Sequence, residues 1–271
     1  MASCGESGEN YGRALEAASR ALQLAPQNPR ATSLKTAVLV ETGRVEEAHA
    51  FLVAAPPPLQ RDREMRFLRA FTLTYAGFLT SAAAISEEIA AEDPAFFSTA
   101  GWTPNAFLYD GKAGRFLELL PRGESPLLRY YRGWALAESG PAGSALRELQ
   151  PAFRSHPADV FARLAEALVA ILEGRSSEAR LLLGQLALQR ERLDASDGEV
   201  TFKLAQLTAR AGDEDSALRH LGRAVRQGFF CPACLHQDRI FRPKRSRPAF
   251  AALLRDATAR HDAFGRRFNL R

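Results

Sequence analysis

The amino-acid sequence predicts an all-α protein, folded as a solenoid of antiparallel helix pairs. Three observations carry this prediction: the residue composition, the recurrence of glycine at a fixed interval, and apolar residues at helical spacing. Alanine and leucine, which favour helices, are abundant, whereas valine and isoleucine, which favour strands, are scarce. With 46% hydrophobic and 25% charged residues over 271 positions, the composition is that of an ordinary folded protein.

Glycines stand 34 residues apart at Gly43, Gly77 and Gly111, and again at Gly140 and Gly174. A small residue follows five positions after most of them, and prolines close several units. Each glycine ends the first helix of a pair, because a left-handed backbone conformation costs least without a Cβ atom. The small residue lets the second helix approach its neighbour, and apolar residues recur between these marks at helical spacing. The pattern therefore predicts stacked helix pairs.

This pattern resembles the tetratricopeptide repeat (TPR) family. The best unit, Leu127 to Pro157, carries the family's small residues and closing proline in register at Gly133, Gly140, Ala145 and Pro157. The resemblance covers residues 11–228. It implies a right-handed α-solenoid of about six units, in which the first helix of each pair lines a concave surface. A period this regular indicates the fold much more specifically than the function.

Two departures from the repeat pattern have consequences. In the fourth unit, Pro104 falls where the first helix should be continuous, Phe116 replaces the small residue and Pro121 cuts the second helix short. We expect a degenerate repeat with a kink or an irregular start there. At the amino end, residues 11–25 read as a second helix without its first. Its uncovered face carries four apolar residues, Ala14, Leu15, Ala18 and Leu22.

Three explanations of that uncovered face stay open: a truncated or misassigned start, cover by another molecule such as a second copy of the chain, or a harmless small patch. Residues 1–10 are polar, lack the features of a signal peptide and are expected to be disordered. No apolar run reaches the length of a membrane span. Three cysteines are too few for a disulfide framework, so we expect a cytoplasmic protein.

Residues 229–271 are predicted to form a turn and a capping helix. They resemble the closing segment of many bacterial TPR regions, on the evidence of Gly228, Phe229, Phe230, Asp238, Arg239, Phe241, Phe250, Leu253 and Leu254. Pro248 suits a helix start, and the apolar stripe that follows would cover the open end of the solenoid. Four arginines, Arg255, Arg260, Arg266 and Arg267, would then face water. We interpret this basic run as a solvated face, with contact to nucleic acid or to an acidic partner as the alternative.

Residues that could support chemistry are few. Cys231 and Cys234 form a CxxC pair with His236 close by, but a closed zinc site needs four ligands and a redox dithiol normally sits in a βαβ setting. We therefore expect buried, unreactive cysteines, with zinc and redox roles as alternatives. Phosphate-binding, zinc-protease and serine-hydrolase motifs are absent from the sequence. We expect no enzyme, no cofactor and no metal.

The candidate binding residues lie on the first helices of the pairs, at the spacing that faces the groove. They are Phe67, Phe71, Tyr75, Trp102, Asn105, Tyr109, Tyr130, Trp134, Phe161 and Phe202. Aromatic side chains bury much area at low entropic cost and often anchor a partner, although packing between helix layers is the competing interpretation. The paired lysine and asparagine of chaperone-binding TPR proteins is missing.

The sequence thus predicts a non-catalytic adaptor that holds a peptide or helix of a partner protein in a concave groove. The alternative is the sensor or scaffold module of a bacterial signalling regulator, separated from its kinase, cyclase or transcription-factor output domain. A basic-tail nucleic-acid-binding or zinc protein is a further alternative. We expect neither nucleic acid nor membrane as a partner, and the N-terminal helix offers a route to a homo-oligomer.

Overall fold

The structure, a computed structural model, describes residues 8–99, 101–120, 123–192 and 197–270, and every regular element within these ranges is helical. The helices are α1 Gly8–Leu24, α2 Pro29–Glu41, α3 Val45–Val53, α4 Pro57–Arg61, α5 Arg63–Ala76, α6 Leu79–Glu92, α7 Phe96–Thr99, α8 Asn105–Tyr109, α9 Ala113–Leu119, α10 Pro126–Ser139, α11 Ala142–Ser155, α12 Val160–Leu172, α13 Ser176–Arg192, α14 Gly198–Arg210, α15 Glu214–Arg226, α16 Pro232–Gln237 and α17 Pro248–Phe268. A 3-10 helix, Arg239–Lys244, precedes α17.

Successive helices pack as pairs, α2 with α3, α5 with α6, α8 with α9, α10 with α11, α12 with α13 and α14 with α15. The predicted solenoid of about six helix pairs is therefore confirmed. Aspartate or serine side chains cap the first helix of several pairs by accepting backbone N–H groups, as Asp62 does from Met65 and Ser125 from Leu128.

The glycines that end the first helices behave as predicted, with one exception. Gly43, Gly77, Gly111 and Gly174 have φ between 73° and 89°, the left-handed region. Gly140 instead is extended, with φ −148°. Proline follows it at position 141, and a residue before proline is pushed to the extended region.

The irregular fourth unit is confirmed. Pro104 lies directly before α8, and α8 and α9 have only five and seven residues. Phe116, which stands where the other units carry a small residue, is fully buried, with its ring centre 6.5 Å from that of Tyr131. Pro121 lies outside the described residues.

The amino-terminal helix starts at Gly8, earlier than Tyr11, and residues 1–7 lie outside the described part of the chain. Its predicted uncovered face packs on α2: Ala18 is buried, and Ala14, Leu15 and Leu22 are half-buried.

The last helix, α17, starts at Pro248 as predicted, but it does not simply close the far end of the array. The ring centre of Phe264 in α17 lies 4.9 Å from that of His49 in α3. The ring of His261 stacks on that of Phe78, with their centres 4.3 Å apart. The predicted solvent exposure of Arg260 is wrong, because its guanidinium is half-buried and pairs with Glu46 at 2.8 Å. The other three arginines of this helix that were predicted to face water are exposed.

The carboxy-terminal end of the array thus touches its early repeats. The backbone N–H of Phe230 donates to the carbonyl of Tyr75 at 3.0 Å, and a Cβ on Gly228 would lie 2.9 Å from Cα of Gly43. The accessible surface is 12716 Å², near the roughly 11,600 Å² expected for a compact monomer of 29.7 kDa. The solenoid is therefore closed on itself, because an open array would expose more surface.

Candidate functional site

Nine of the ten candidate residues lie on first helices of the pairs, as predicted, but Trp102 lies in the irregular stretch before α8. Most of the ten are covered. Seven are buried: Phe67, Tyr75, Asn105, Tyr109, Tyr130, Trp134 and Phe202. Three are half-buried: Phe71, Trp102 and Phe161. Contact of any of the ten with a partner stays a prediction, and the buried ones are packed by the chain itself.

The interior is filled by α14 and by the segment that follows α15. Phe229, the first residue of the predicted turn, packs against three candidate residues. Its ring centre lies 5.3 Å from that of Tyr75, 5.4 Å from that of Tyr109 and 4.6 Å from that of Phe202. Phe230 and Phe241 are also fully buried. The closing segment therefore lies inside the curve of the solenoid and acts as its core.

A buried carboxylate, Glu199, lies at the centre of this interior. Its Oε1 accepts hydrogen bonds from Nδ2 of Asn105 at 2.7 Å, from the hydroxyl of Tyr131 at 2.9 Å and from the hydroxyl of Tyr109. The donors come from α8 and α10, and the acceptor from α14. One carboxylate thus joins three units of the array, and such charge-assisted bonds are stronger than neutral ones.

The buried ammonium of Lys203 lies one helical turn from Glu199, inside a cage of aromatic rings. Its Nζ is 4.4 Å from the ring centre of Trp134, 4.5 Å from that of Tyr109 and 5.6 Å from that of Tyr131. This is the geometry of a cation–π interaction, which gains strength where water is excluded. Nζ has no hydrogen-bond partner among the described residues.

Burial dominates the electrostatics of this centre. It lowers the pKa of Lys203 from 10.5 to about 8, against the opposing effect of the Glu199 and Asp238 charges. Burial, together with the charge of Asp197, raises the pKa of Glu199. It also raises the pKa of Tyr109 and of Tyr131 well above 10. Burial thus disfavours the charged form of each of these groups, and the tyrosines stay neutral donors.

Two aspartates fasten α14 to other parts of the chain. Asp197 caps α14 and accepts a hydrogen bond from the Tyr75 hydroxyl at 2.9 Å. Asp238, in the closing segment, accepts one from Nε2 of Gln206 at 2.5 Å. These bonds connect α5 and the closing segment to the same helix. The polar centre thus has the arrangement of a structural network, with its charged groups sealed from water.

Sequence reasoning did not find Glu199, Lys203 or Asp197. The available signal was weak: one of the four lysines of the chain stands four residues after a glutamate, within one predicted helix. The structure buries every residue from Gly198 to Thr208, and a charge in a helix buried on all sides must find a partner.

The two cysteines of the CxxC pair are buried, as predicted. We expected two unreactive core cysteines, but in the structure they form a disulfide with each other. Cys231 caps α16, and its Sγ accepts the N–H of Cys234 at 3.1 Å. No three His, Cys, Asp or Glu side chains of the described ranges gather as a metal site. None of the helices described has the length and apolar character needed to cross a membrane.

Two of the half-buried candidates, Phe71 in α5 and Trp102 before α8, lie together at one edge of the inner surface. The ring centres of Phe71 and Trp102 are 6.2 Å apart, and Trp102 lies 5.2 Å from the ring centre of Phe67. Next to them, Gly101 has φ 69°, and a Cβ there would meet nothing within 4 Å. This edge therefore consists of two half-buried aromatic rings, Phe71 and Trp102, which pack on the buried Phe67 and have room beside them at Gly101.

Comparison with known proteins agrees with this fold. Residues 7–70 match the tetratricopeptide repeat family model. The match covers about a quarter of the chain, and the helix-pair array continues the same architecture through the described residues beyond it. Comparison of the sequence with curated proteins gives no match.

Solved structures resemble the chain at low sequence identity. A chain of the APC/C hetero-tetramer Cut9-Hcn1 is 14% identical with a TM-score of 0.59, over 95% of this chain and 52% of that one. The protein thus spans about half the length of that chain, and the likeness concerns the fold. A tetratricopeptide repeat protein from Parabacteroides merdae is 15% identical with a TM-score of 0.36, over 93% of this chain and 87% of that one. YrrB, described as a TPR protein with an unusual peptide-binding site, is 17% identical with a TM-score of 0.31, over 83% of this chain and 98% of that one.

Proposed function

We propose that this protein is a non-catalytic interaction scaffold that binds a peptide or helix of a partner protein at the open edge of its inner helices. The observation that carries the proposal is the half-buried pair Phe71 and Trp102, beside open space at Gly101. Tetratricopeptide repeats fit such a scaffold because stacked helices present an extended, rigid surface.

The candidate residues divide into two roles in this proposal. Phe71, Trp102 and Phe161 keep accessible area and would contact the partner. The seven buried ones hold these three in place, as Phe67 does through its contact with the Trp102 ring. A rigid aromatic anchor loses little conformational entropy on binding, so it contributes more affinity than a mobile side chain.

The non-catalytic part of the proposal is supported by the burial of the groups that could perform chemistry. Glu199 is 5% exposed and Lys203 is fully buried, so neither meets a substrate in this conformation. Three points stay predictions. They are the alternative role as the sensor or scaffold module of a signalling regulator, the bacterial and cytoplasmic setting, and an oligomer formed through α1.

The experiment is affinity capture from native lysate, with bound proteins identified by mass spectrometry. The wild type is compared with Phe71→Ala/Trp102→Ala and with a control, Leu181→Ala/Leu188→Ala. The control removes two large apolar side chains from α13, where they are 63% and 56% exposed. A partner retained by the wild type and the control but lost by the first variant is then purified for titration.

We expect the edge variant to weaken binding of that partner by at least about 2 kcal/mol, roughly 30-fold. Thermal unfolding of all three proteins checks that the substitutions leave the fold intact. A partner bound within about 0.5 kcal/mol of wild type by the edge variant, or lost only by the α13 control, would show that the edge is not the binding surface.

A further inference from the structure

A second surface of the molecule has the features of a binding site and lies away from the aromatic edge. It is a cleft of about 610 Å³ between α16 and the solvent side of α17. Six of its lining residues matter here: His236, Arg245, Phe250, Leu254, Arg255 and Asp262. The lining residues of α17, from Phe250 to Asp262, stand alternately one and three positions apart, which places them on one face of the helix.

The floor of this cleft is apolar and its rim is basic. Phe250 is buried and Leu254 half-buried, while Arg255 and His236 are exposed. Arg255 forms no ion pair within the described part of the chain. The exposed arginines of the adjacent 3-10 helix, Arg239 and Arg242, extend the positive charge.

Arg245 adds a second basic group to the cleft. Its Nη2 donates to the backbone carbonyl of His236, and its Nε has no hydrogen-bond partner in the described ranges. The residue is half-buried, so part of it stays accessible from the cleft that it lines. A carboxylate there would pair with the guanidinium through charge-assisted hydrogen bonds.

We propose that this cleft binds an acidic amphipathic segment of a partner protein. An apolar side chain of that segment would lie on the floor formed by Phe250 and Leu254, and carboxylates would pair with Arg245 and Arg255. This site is separate from the aromatic edge, and the proposal does not depend on the function proposed there.

The observations favour an acidic peptide over a nucleic acid. Nucleic acids bind through many phosphate contacts, and single strands stack their bases on exposed aromatic rings. Here the aromatic ring of the floor is buried, so it offers no exposed face on which a base could stack. One apolar anchor with a few carboxylates matches the cleft better.

The test uses fluorescence anisotropy with the full chain and a labelled synthetic peptide in which leucines on one face alternate with glutamates on the other. We expect saturable binding that weakens at least about fivefold for Arg255→Glu. The matched control is Arg20→Glu, which makes the same charge change at an exposed position of α1 that does not line the cleft. Leu254→Ser should weaken binding to a similar extent.

Further probes decide between the cleft and simple charge attraction. A peptide with serine in place of leucine should bind more weakly than the original, and so should one with glutamine in place of glutamate. Equal binding of the serine peptide, equal loss in Arg20→Glu and Arg255→Glu, or no saturable binding would each overturn the proposal. Tighter binding of a single-stranded oligonucleotide than of the acidic peptide, lost in Arg255→Glu, would assign the surface to nucleic acid instead.

Discussion

Closure of the solenoid makes a prediction about two glycines that are equivalent in the repeat. Gly77 and Gly111 follow the first helices of neighbouring units, and both have a left-handed backbone, with φ 89° and 73°. A Cβ at Gly77 would lie 2.8 Å from Cδ of Pro232 and 3.1 Å from Cα of Cys231 in the closing segment. A Cβ at Gly111 would meet nothing within 4 Å.

Alanine at either position pays the same backbone cost, about 1 kcal/mol for a left-handed conformation. Gly77→Ala must also displace a proline ring and a backbone atom, which cannot rotate away as a flexible side chain would, and such overpacking costs about 1–3 kcal/mol more. We therefore expect the free energy of unfolding to fall by about 1 kcal/mol in Gly111→Ala and by about 2–4 kcal/mol in Gly77→Ala.

The assay is urea unfolding of both variants and the wild type, followed by far-UV circular dichroism. The difference between the two glycines isolates the contact with the closing segment, because the backbone term cancels. Equal losses for Gly77→Ala and Gly111→Ala would contradict this prediction, since they would mean that the closing segment does not lie against the end of α5.

Two further predictions concern the buried polar groups. Glu199→Ala leaves three buried donors without their acceptor, so the free energy of unfolding should fall by at least about 3 kcal/mol. The control Glu16→Ala, on the exposed side of α1, should change it by no more than about 0.5 kcal/mol. Similar losses for the two variants would contradict the role of Glu199. Burial lowers the pKa of His49 from 6.5 to about 4. Between these values the unfolded chain binds a proton at this residue and the folded chain does not, so the free energy of unfolding should fall by about 2 kcal/mol between neutral pH and about pH 5. His49→Gln should remove that part of the pH dependence, and an unchanged pH profile in this variant would show that another group causes it.

The local features of the fold could be predicted from sequence. Helix pairs, the glycines that end first helices and the start of α17 at Pro248 all follow from spacing and backbone preference within one unit. The irregular unit also follows, because a helix cannot run through Pro104 without a break or a kink. These features depend on interactions between residues that are close along the chain.

What could not be predicted depends on contacts between distant parts of the chain. The sequence identifies which residues face inward, but nothing in it says that Phe229 would cover them, because that depends on how tightly the array curves. The same limit explains Arg260, whose exposed position on a helix wheel becomes a pairing with Glu46, more than 200 residues earlier. The hydrogen bonds to Glu199 could not be predicted for the same reason, since their donors come from α8 and α10, far from α14 along the chain.

Small-angle X-ray scattering of the full chain in solution would show directly whether the array closes on itself. A closed array should have a radius of gyration of about 18 Å, the value expected for a compact domain of 271 residues. A radius well above this, with the scattering profile of an elongated particle in a monomeric sample, would contradict closure of the array and would leave the inner aromatic residues open to a partner.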